Sequence, residues 1–217
     1  MKDLPTIVPL GDEALLVTFA ETISWDVGES VRGAAARIRE LSRAEITDVV
    51  PSYTTLGVYF DGSAIAYADV VALVAPLLAA EEALAPRSDA SILEIPVRYD
   101  GPDLEEVAER TGLTVDEVIA RHSKRSYRAY ACGFQPGFAY LGDLDEALAL
   151  PRRASPRLRV PPGSVAIAGM QTAVYPLQTP GGWHIIGSTS LRMFDATREP
   201  PALIRPGDVV RFVLDEP

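Results

Sequence analysis

Arg152, Arg153, Arg157 and Arg159 fall within eight residues of a stretch, 147–194, that contains no Asp or Glu, although the chain carries 30 acidic residues and a formal charge of −10. Guanidinium groups in a carboxylate-free stretch suit an anion, either an oxyanion ligand or an acidic partner surface. Burial in strands accounts for the missing acids but not for the arginines. Pro151 and Pro156 restrict the backbone beside Arg153 and Arg157. Those two arginines are therefore the ones expected to point in a defined direction.

A second group of candidates lies among glycines and prolines on either side of this stretch. Phe134, Phe138 and Tyr140 alternate with Gly133, Pro136 and Gly137, a pattern that belongs to neither a helix stripe nor a strand face. Such aromatics either cap a hydrophobic interior or line a pocket or partner groove, with Pro136 shaping the turn. Gln171 and Thr172 follow an Ala-Gly pair at a strand end, where amide and hydroxyl can fix a small polar substrate or close a turn. Gly181, Gly182, Trp183 and His184 follow Pro180, and Trp183 is expected in the arginine site rather than in the core.

Other chemistries lack their parts. There is no phosphate-binding loop of the Gly-x-x-x-x-Gly-Lys-Ser/Thr type, no dinucleotide fingerprint and no nucleophile elbow. One Cys and two His cannot assemble a zinc site of finger type, and no metal ligands are assigned. A thiol mechanism would require Cys132 beside His122 or His184. Cys132 ends an apolar strand run and reads as a structural thiol. His122 follows a capped helix, where a histidine favours the C-terminal end. His184 is open to either a structural or a functional role.

The elements that must position these residues can be read from periodicity. At 217 residues with 47% hydrophobic and 23% charged side chains, the chain suits one large or two small globular domains. Acidity argues against nucleic acid as a partner, and no apolar run free of Pro and Gly is long enough for a membrane helix. A single cysteine and no visible secretory signal suggest the cytoplasm.

Residues 1–88 predict a small α/β domain: a strand at 14–19, a helix capped by Ser24, strand-like runs over 49–60 broken by Pro51, and an alanine-rich helix over 66–84. Ala85 to Ala90 reads as a linker. Residues 91–217 predict a β-barrel or sandwich. Two helices in it are announced by Asp103-x-x-Glu106 and Thr114-x-x-Glu117, and strands are expected at 91–99, 127–132, 164–168, 172–175, 183–186, 191–194 and 209–214.

Several runs resemble a known family. Cys132 to Gly142 (Cys-Gly-Phe-Gln-Pro-Gly-Phe-Ala-Tyr-Leu-Gly), Pro151 to Arg153, Val160 to Gly169, Gln171-Thr172, Tyr175-Pro176 and Thr179 to Trp183 are similar to the B-subunit family of bacterial 5-oxoprolinase. That family is also labelled allophanate hydrolase subunit 1 and includes an inhibitor of a sporulation histidine kinase. The resemblance extends more weakly to Gly11–Ala14 and Asp103–Ser123. It implies an α+β chain, an N-terminal α/β domain followed by a cyclophilin-like β-barrel. It further implies ATP, with Mg, at a site shared with a C subunit of related fold, and an A subunit that completes the opening of 5-oxoproline to glutamate. A kinase inhibitor and a component of an allophanate- or urea-using enzyme are the alternatives. Ser188 and Met170 depart from the family's arginine and small residue.

Overall fold

Leu15 and Val17 alternate with Leu16 and Thr18, and Leu56, Val58 and Phe60 alternate with Gly57 and Tyr59, so each of these two strands turns one apolar face to a core. They form the centre of a four-stranded antiparallel sheet in the computed structural model, which describes residues 5–78 and 92–215. The strands are β1 (Thr6–Pro9), β2 (Ala14–Thr18), β3 (Ile46–Ser52) and β4 (Thr55–Phe60), in the order β1-β2-β4-β3. Helices α1 (Trp25–Glu40) and α2 (Tyr67–Leu78) supply Val31, Ala34, Ala35, Ile38, Val70 and Val74 to the same core.

Ser24 caps α1 as its sequence predicts, accepting from the Val27 amide at 3.3 Å. Pro51 does not end its strand, because β3 is at the sheet edge, where a missing N–H costs no ladder bond. This unit comprises residues 1–89 and a second comprises 90–217. The expected end of α2 beyond Leu78 and the Ala85–Ala90 linker lie outside the described residues.

The second unit is built on a seven-stranded sheet. Its strands are β5 (Leu93–Val97), β6 (Ser126–Cys132), β7 (Ala139–Gly142), β9 (Ser164–Ala168), β10 (Gln171–Val174), β12 (His184–Ser188) and β13 (Val209–Leu214). Their order is β12-β9-β10-β7-β6-β13-β5, and an isolated bridge between Arg98 and Ser188 links the two ends, so the sheet is nearly closed into a barrel. The α+β class with a small α/β unit ahead of a barrel follows the sequence expectation. Helices α3 (Leu104–Thr111) and α4 (Val115–Ser123) precede β6. A separate ribbon pairs β8 (Arg157–Val160) with β11 (Thr179–Gly181).

Alternation along the barrel strands makes two apolar clusters. Val165, Ile167, Val174, Leu141 and Ile186 face one side with Tyr127 and Phe212. Ala166, Ala168 and Ala173 face the other. Those small side chains leave room on the second face for Phe138, Tyr175, Trp183 and Val160 to lie against the sheet.

Three expectations need correction. Residues 191–194 do not form a strand: apart from a single bridge from Phe194 to Ala202, they have no ladder partner among the described residues. Asp103 is the N-cap of α3 by position but makes no side-chain cap hydrogen bond, because its carboxylate is engaged elsewhere. Trp183 is 5% exposed and belongs to the second apolar cluster, so it is a core residue. Thr114, by contrast, forms the full reciprocal capping box with Glu117.

Candidate functional site

Asp103 is 1% exposed, and its carboxylate accepts from two arginines and one backbone amide. Arg157 donates Nη1 to Oδ2 at 2.8 Å and Nη2 to Oδ1 at 2.6 Å, and Arg153 donates Nη1 to Oδ1 at 2.8 Å. The Ile185 amide completes the set at 2.7 Å, while the Asp103 amide donates to the Ile185 carbonyl at 3.0 Å. A buried carboxylate persists only with such compensation. Arg153 Nη1 also reaches Glu106 Oε2 at 2.7 Å, and hydrogen bonding from that guanidinium holds the Glu106 carboxyl below its ordinary range. Asp103 and Glu106, which the sequence marks only as a helix start, therefore supply the counter-charges that the arginine stretch lacks. The sequence does carry a signal for this: with no acids in 147–194, any arginine there that is covered must take its counter-charge from outside the stretch.

The backbone of the same segment is anchored as well. His184 is fully buried, and its Nε2 donates to the Pro151 carbonyl at 3.0 Å. The Arg153 amide donates to the Gly182 carbonyl at 2.7 Å. Arg152, between these two tethers, is exposed, and its guanidinium makes no hydrogen bond or ion pair among the described residues. Burial raises the pKa of the Tyr175 hydroxyl, and the Arg152 charge partly opposes that rise. Of the arginines singled out from sequence, then, Arg153 and Arg157 have their charges matched inside the chain, whereas Arg152 does not.

The aromatics form a chain of edge-to-face contacts. Phe134 meets Phe138 at 5.3 Å between centroids, and Phe138 meets Tyr140 at 4.9 Å, Tyr175 at 5.4 Å and Trp183 at 5.8 Å. Phe138 and Tyr175 are buried and Tyr140 is half-buried. Phe134 is 61% exposed and adopts a left-handed φ of 69°. Pro136 and Gly137 turn the loop back, closing it with bonds from Phe138 N to Gln135 O and from Gly133 N to Phe138 O. Gly181 is needed beneath this cluster: a Cβ there would lie 2.4 Å from the Tyr175 hydroxyl. Gly182 faces Pro156 and the Arg153 carbonyl across ordinary contact distances.

Thr172 and His122 belong to a different, interior network. The Thr172 hydroxyl donates to the Ala166 carbonyl at 3.1 Å, so it accepts from His122 Nε2 at 2.9 Å. His122 Nδ1 is then the acceptor for the Tyr99 hydroxyl at 2.8 Å. The imidazole stacks on Phe212 at 4.5 Å, and burial lowers its pKa to about 3. Thr172 is thus sequestered, while Gln171 beside it stays half-buried. Cys132 donates its thiol to the Ile204 carbonyl at 3.6 Å, and burial pushes it up to about 12, which suits the structural reading. Among the described residues no group of three or more His, Cys, Asp or Glu could hold a metal ion, and no helix is long and apolar enough to cross a membrane. Of the two departures from the family pattern, Ser188 hydrogen-bonds Asp100 at 2.8 Å, and Met170 is an exposed turn residue.

Residues 5–204 match the family model described as carboxyltransferase domain, subdomain C and D. A protein of Bacillus subtilis named as the B subunit of 5-oxoprolinase is 41% identical over 95% of this chain and 91% of its own length. Its namesake from Escherichia coli O157:H7 is 57% identical over 61% of each chain. Among solved structures, TTHA0988 superposes with a TM-score of 0.86 at 39% identity over 94% of this chain, which spans 40% of that protein. The chain belongs to the carboxyltransferase subdomain C and D family, among the members named as B subunits of 5-oxoprolinase.

Proposed function

We propose that this chain acts as the B subunit of an ATP-dependent 5-oxoprolinase and works only with its partner subunits. The observation that carries the reading is a cationic half-site. Buried Asp103 and His184 immobilise the Pro151–Arg157 segment, yet no activated nucleophile accompanies it among the described residues. Cys132 is held as a thiol, and both ring nitrogens of His122 are engaged. The names of the relatives agree with the reading.

In the proposed reaction the γ-phosphoryl of ATP passes to the lactam oxygen of 5-oxoproline, releasing ADP. Water then adds at the carbonyl carbon, the C–N bond breaks with the nitrogen taking a proton to leave γ-glutamyl phosphate, and a second water cleaves that acyl phosphate to glutamate and phosphate. Charge developing on the transferred group requires preorganised donors. This chain offers arginine for that purpose but no phosphate-cradling loop, so the rest of the nucleotide site falls to a C subunit, with an A subunit that completes ring opening. The setting is the cytoplasm.

The test is ATP turnover by the co-expressed subunits with and without 5-oxoproline, and with allophanate in its place. Turnover that depends on 5-oxoproline and needs this chain is expected. Dependence on allophanate, or none on either compound, would overturn the assignment.

A further inference from the structure

The Asp103 network does more than neutralise two arginines; it selects a third. Pro151 and Arg153 are both tied to the segment running into β12, through His184 Nε2 at 3.0 Å and the Gly182 carbonyl at 2.7 Å. Arg153 is further held by its guanidinium on Asp103 and Glu106. The backbone of Arg152 is therefore fixed from both sides while its guanidinium stays exposed and uncommitted among the described residues. Three exposed arginines elsewhere in the same unit pair with carboxylates, Arg98 with Asp100, Arg121 with Asp145 and Arg192 with Asp195, whereas Arg205, like Arg152, does not among the described residues. Arg152 has no such neighbour within its own stretch, since 147–194 holds no acid.

With its backbone held on both sides, Arg152 is presented from a fixed point, so taking a ligand orders only its side chain. Its fork geometry selects an oxyanion over a neutral group. We propose that Arg152 is the oxyanion-binding arginine of this chain, presented to the substrate by the Asp103–Arg153–His184 anchorage. The oxyanion has two sources in the reaction, the transferring phosphoryl group and the carboxylate of 5-oxoproline. Naming them rests on the 5-oxoprolinase reading; the anion site itself does not. Arg159, exposed on strand β8, whose backbone is held by pairing with β11 and not by this anchorage, is the internal control.

The experiment labels the assembled complex with phenylglyoxal and maps modified arginines by mass spectrometry, with inorganic phosphate, MgATP or 5-oxoproline added separately. Arg152 labelling is expected to slow at least tenfold with one of these, and Arg159 labelling to stay unchanged. Protection by phosphate or MgATP assigns the phosphoryl source, and protection by 5-oxoproline alone assigns the carboxylate. No protection by any of them, or shielding that assembly produces without added ligand, overturns the proposal. In parallel, Arg152→Gln should lower turnover more than tenfold with assembly and melting temperature unchanged, and Arg159→Gln should not. Full activity of Arg152→Gln in a working complex also overturns it. A wild-type complex without 5-oxoproline-dependent turnover but with phosphate-protected Arg152 would instead remove only the enzymatic reading.

Discussion

Asp103 grips Arg157 with both carboxylate oxygens, at 2.8 and 2.6 Å, from a position that is 1% exposed. The same carboxylate holds Arg153 and the Ile185 amide, so one side chain joins the start of α3, strand β8 and strand β12. Removing it strands two guanidinium groups that are largely covered. Breaking one side of such a pair costs about 3–5 kcal/mol. Asp103→Asn is expected at the lower end, about 3 kcal/mol by denaturant unfolding, because the arginines retain some solvent. Arg159→Ala should stay within about 0.5 kcal/mol of wild type. Equal stability of Asp103→Asn and wild type would show that the network is not structural.

Much of the architecture is legible in the sequence because periodicity and caps are local. Ser24 and Thr114 cap their helices, and the turn-separated strands of the second half make a barrel-like sheet. What local patterns do not reveal is how distant segments share charge. Asp103 has the right type and spacing for a cap, but Arg153 and Arg157, some fifty residues on, take its oxygens in place of the helix amides. Trp183 misleads for a related reason. Its Pro-Gly-Gly approach reads as a surface loop, and only the register that lines up Ala166, Ala168 and Ala173 shows the space it fills.

His122 gives the fold an acid sensitivity of definite sign. Burial lowers its folded pKa to about 3, against an ordinary value near 6.5, so the unfolded chain binds the proton more readily. The stability from keeping it neutral is fully present above pH 6.5 and is lost as pH falls towards 3. With a limit of about 1.4 kcal/mol per pH unit, the loss between about pH 6.5 and 5 is about 2 kcal/mol. Unfolding curves across that window should show this slope in wild type and a flatter one in His122→Gln. Identical slopes would contradict the assignment.

Gly181 and Tyr175 should be energetically coupled. A Cβ at position 181 would lie 2.4 Å from the Tyr175 hydroxyl, too close for any real contact. Overpacking of this kind costs about 1–3 kcal/mol. Gly181→Ala should destabilise by that amount, and Tyr175→Phe in the same chain should recover part of it by removing the clashing oxygen. A double-mutant cycle measures the coupling, and strict additivity of the two changes would argue against the contact.

The barrel should fold without the first unit. Every strand of its sheet comes from residues between Leu93 and Leu214, and β5 pairs with β13, so both ends of the segment are sewn into one sheet. A fragment of residues 91–217 is expected to unfold in one cooperative transition with dispersed amide resonances. A fragment lacking tertiary structure would show that residues 1–90 are required.

Phe134 holds a conformation that its own side chain disfavours. A bulky residue at φ 69° is strained by about 1–2 kcal/mol, and because 61% of this one is exposed its edge-to-face contact with Phe138 offsets only part of the strain. Glycine relieves the strain but adds about 0.5–1 kcal/mol of unfolded-state entropy. Phe134→Gly should therefore equal or exceed wild type in stability, by up to about 1 kcal/mol. A strained aromatic on a loop pinned by Phe138 N and Gly133 N is a rigid anchor of the kind that carries partner binding. The same variant should then bind the C subunit of the complex at least tenfold more weakly. Stability gained with affinity retained would show that the strain serves something other than assembly.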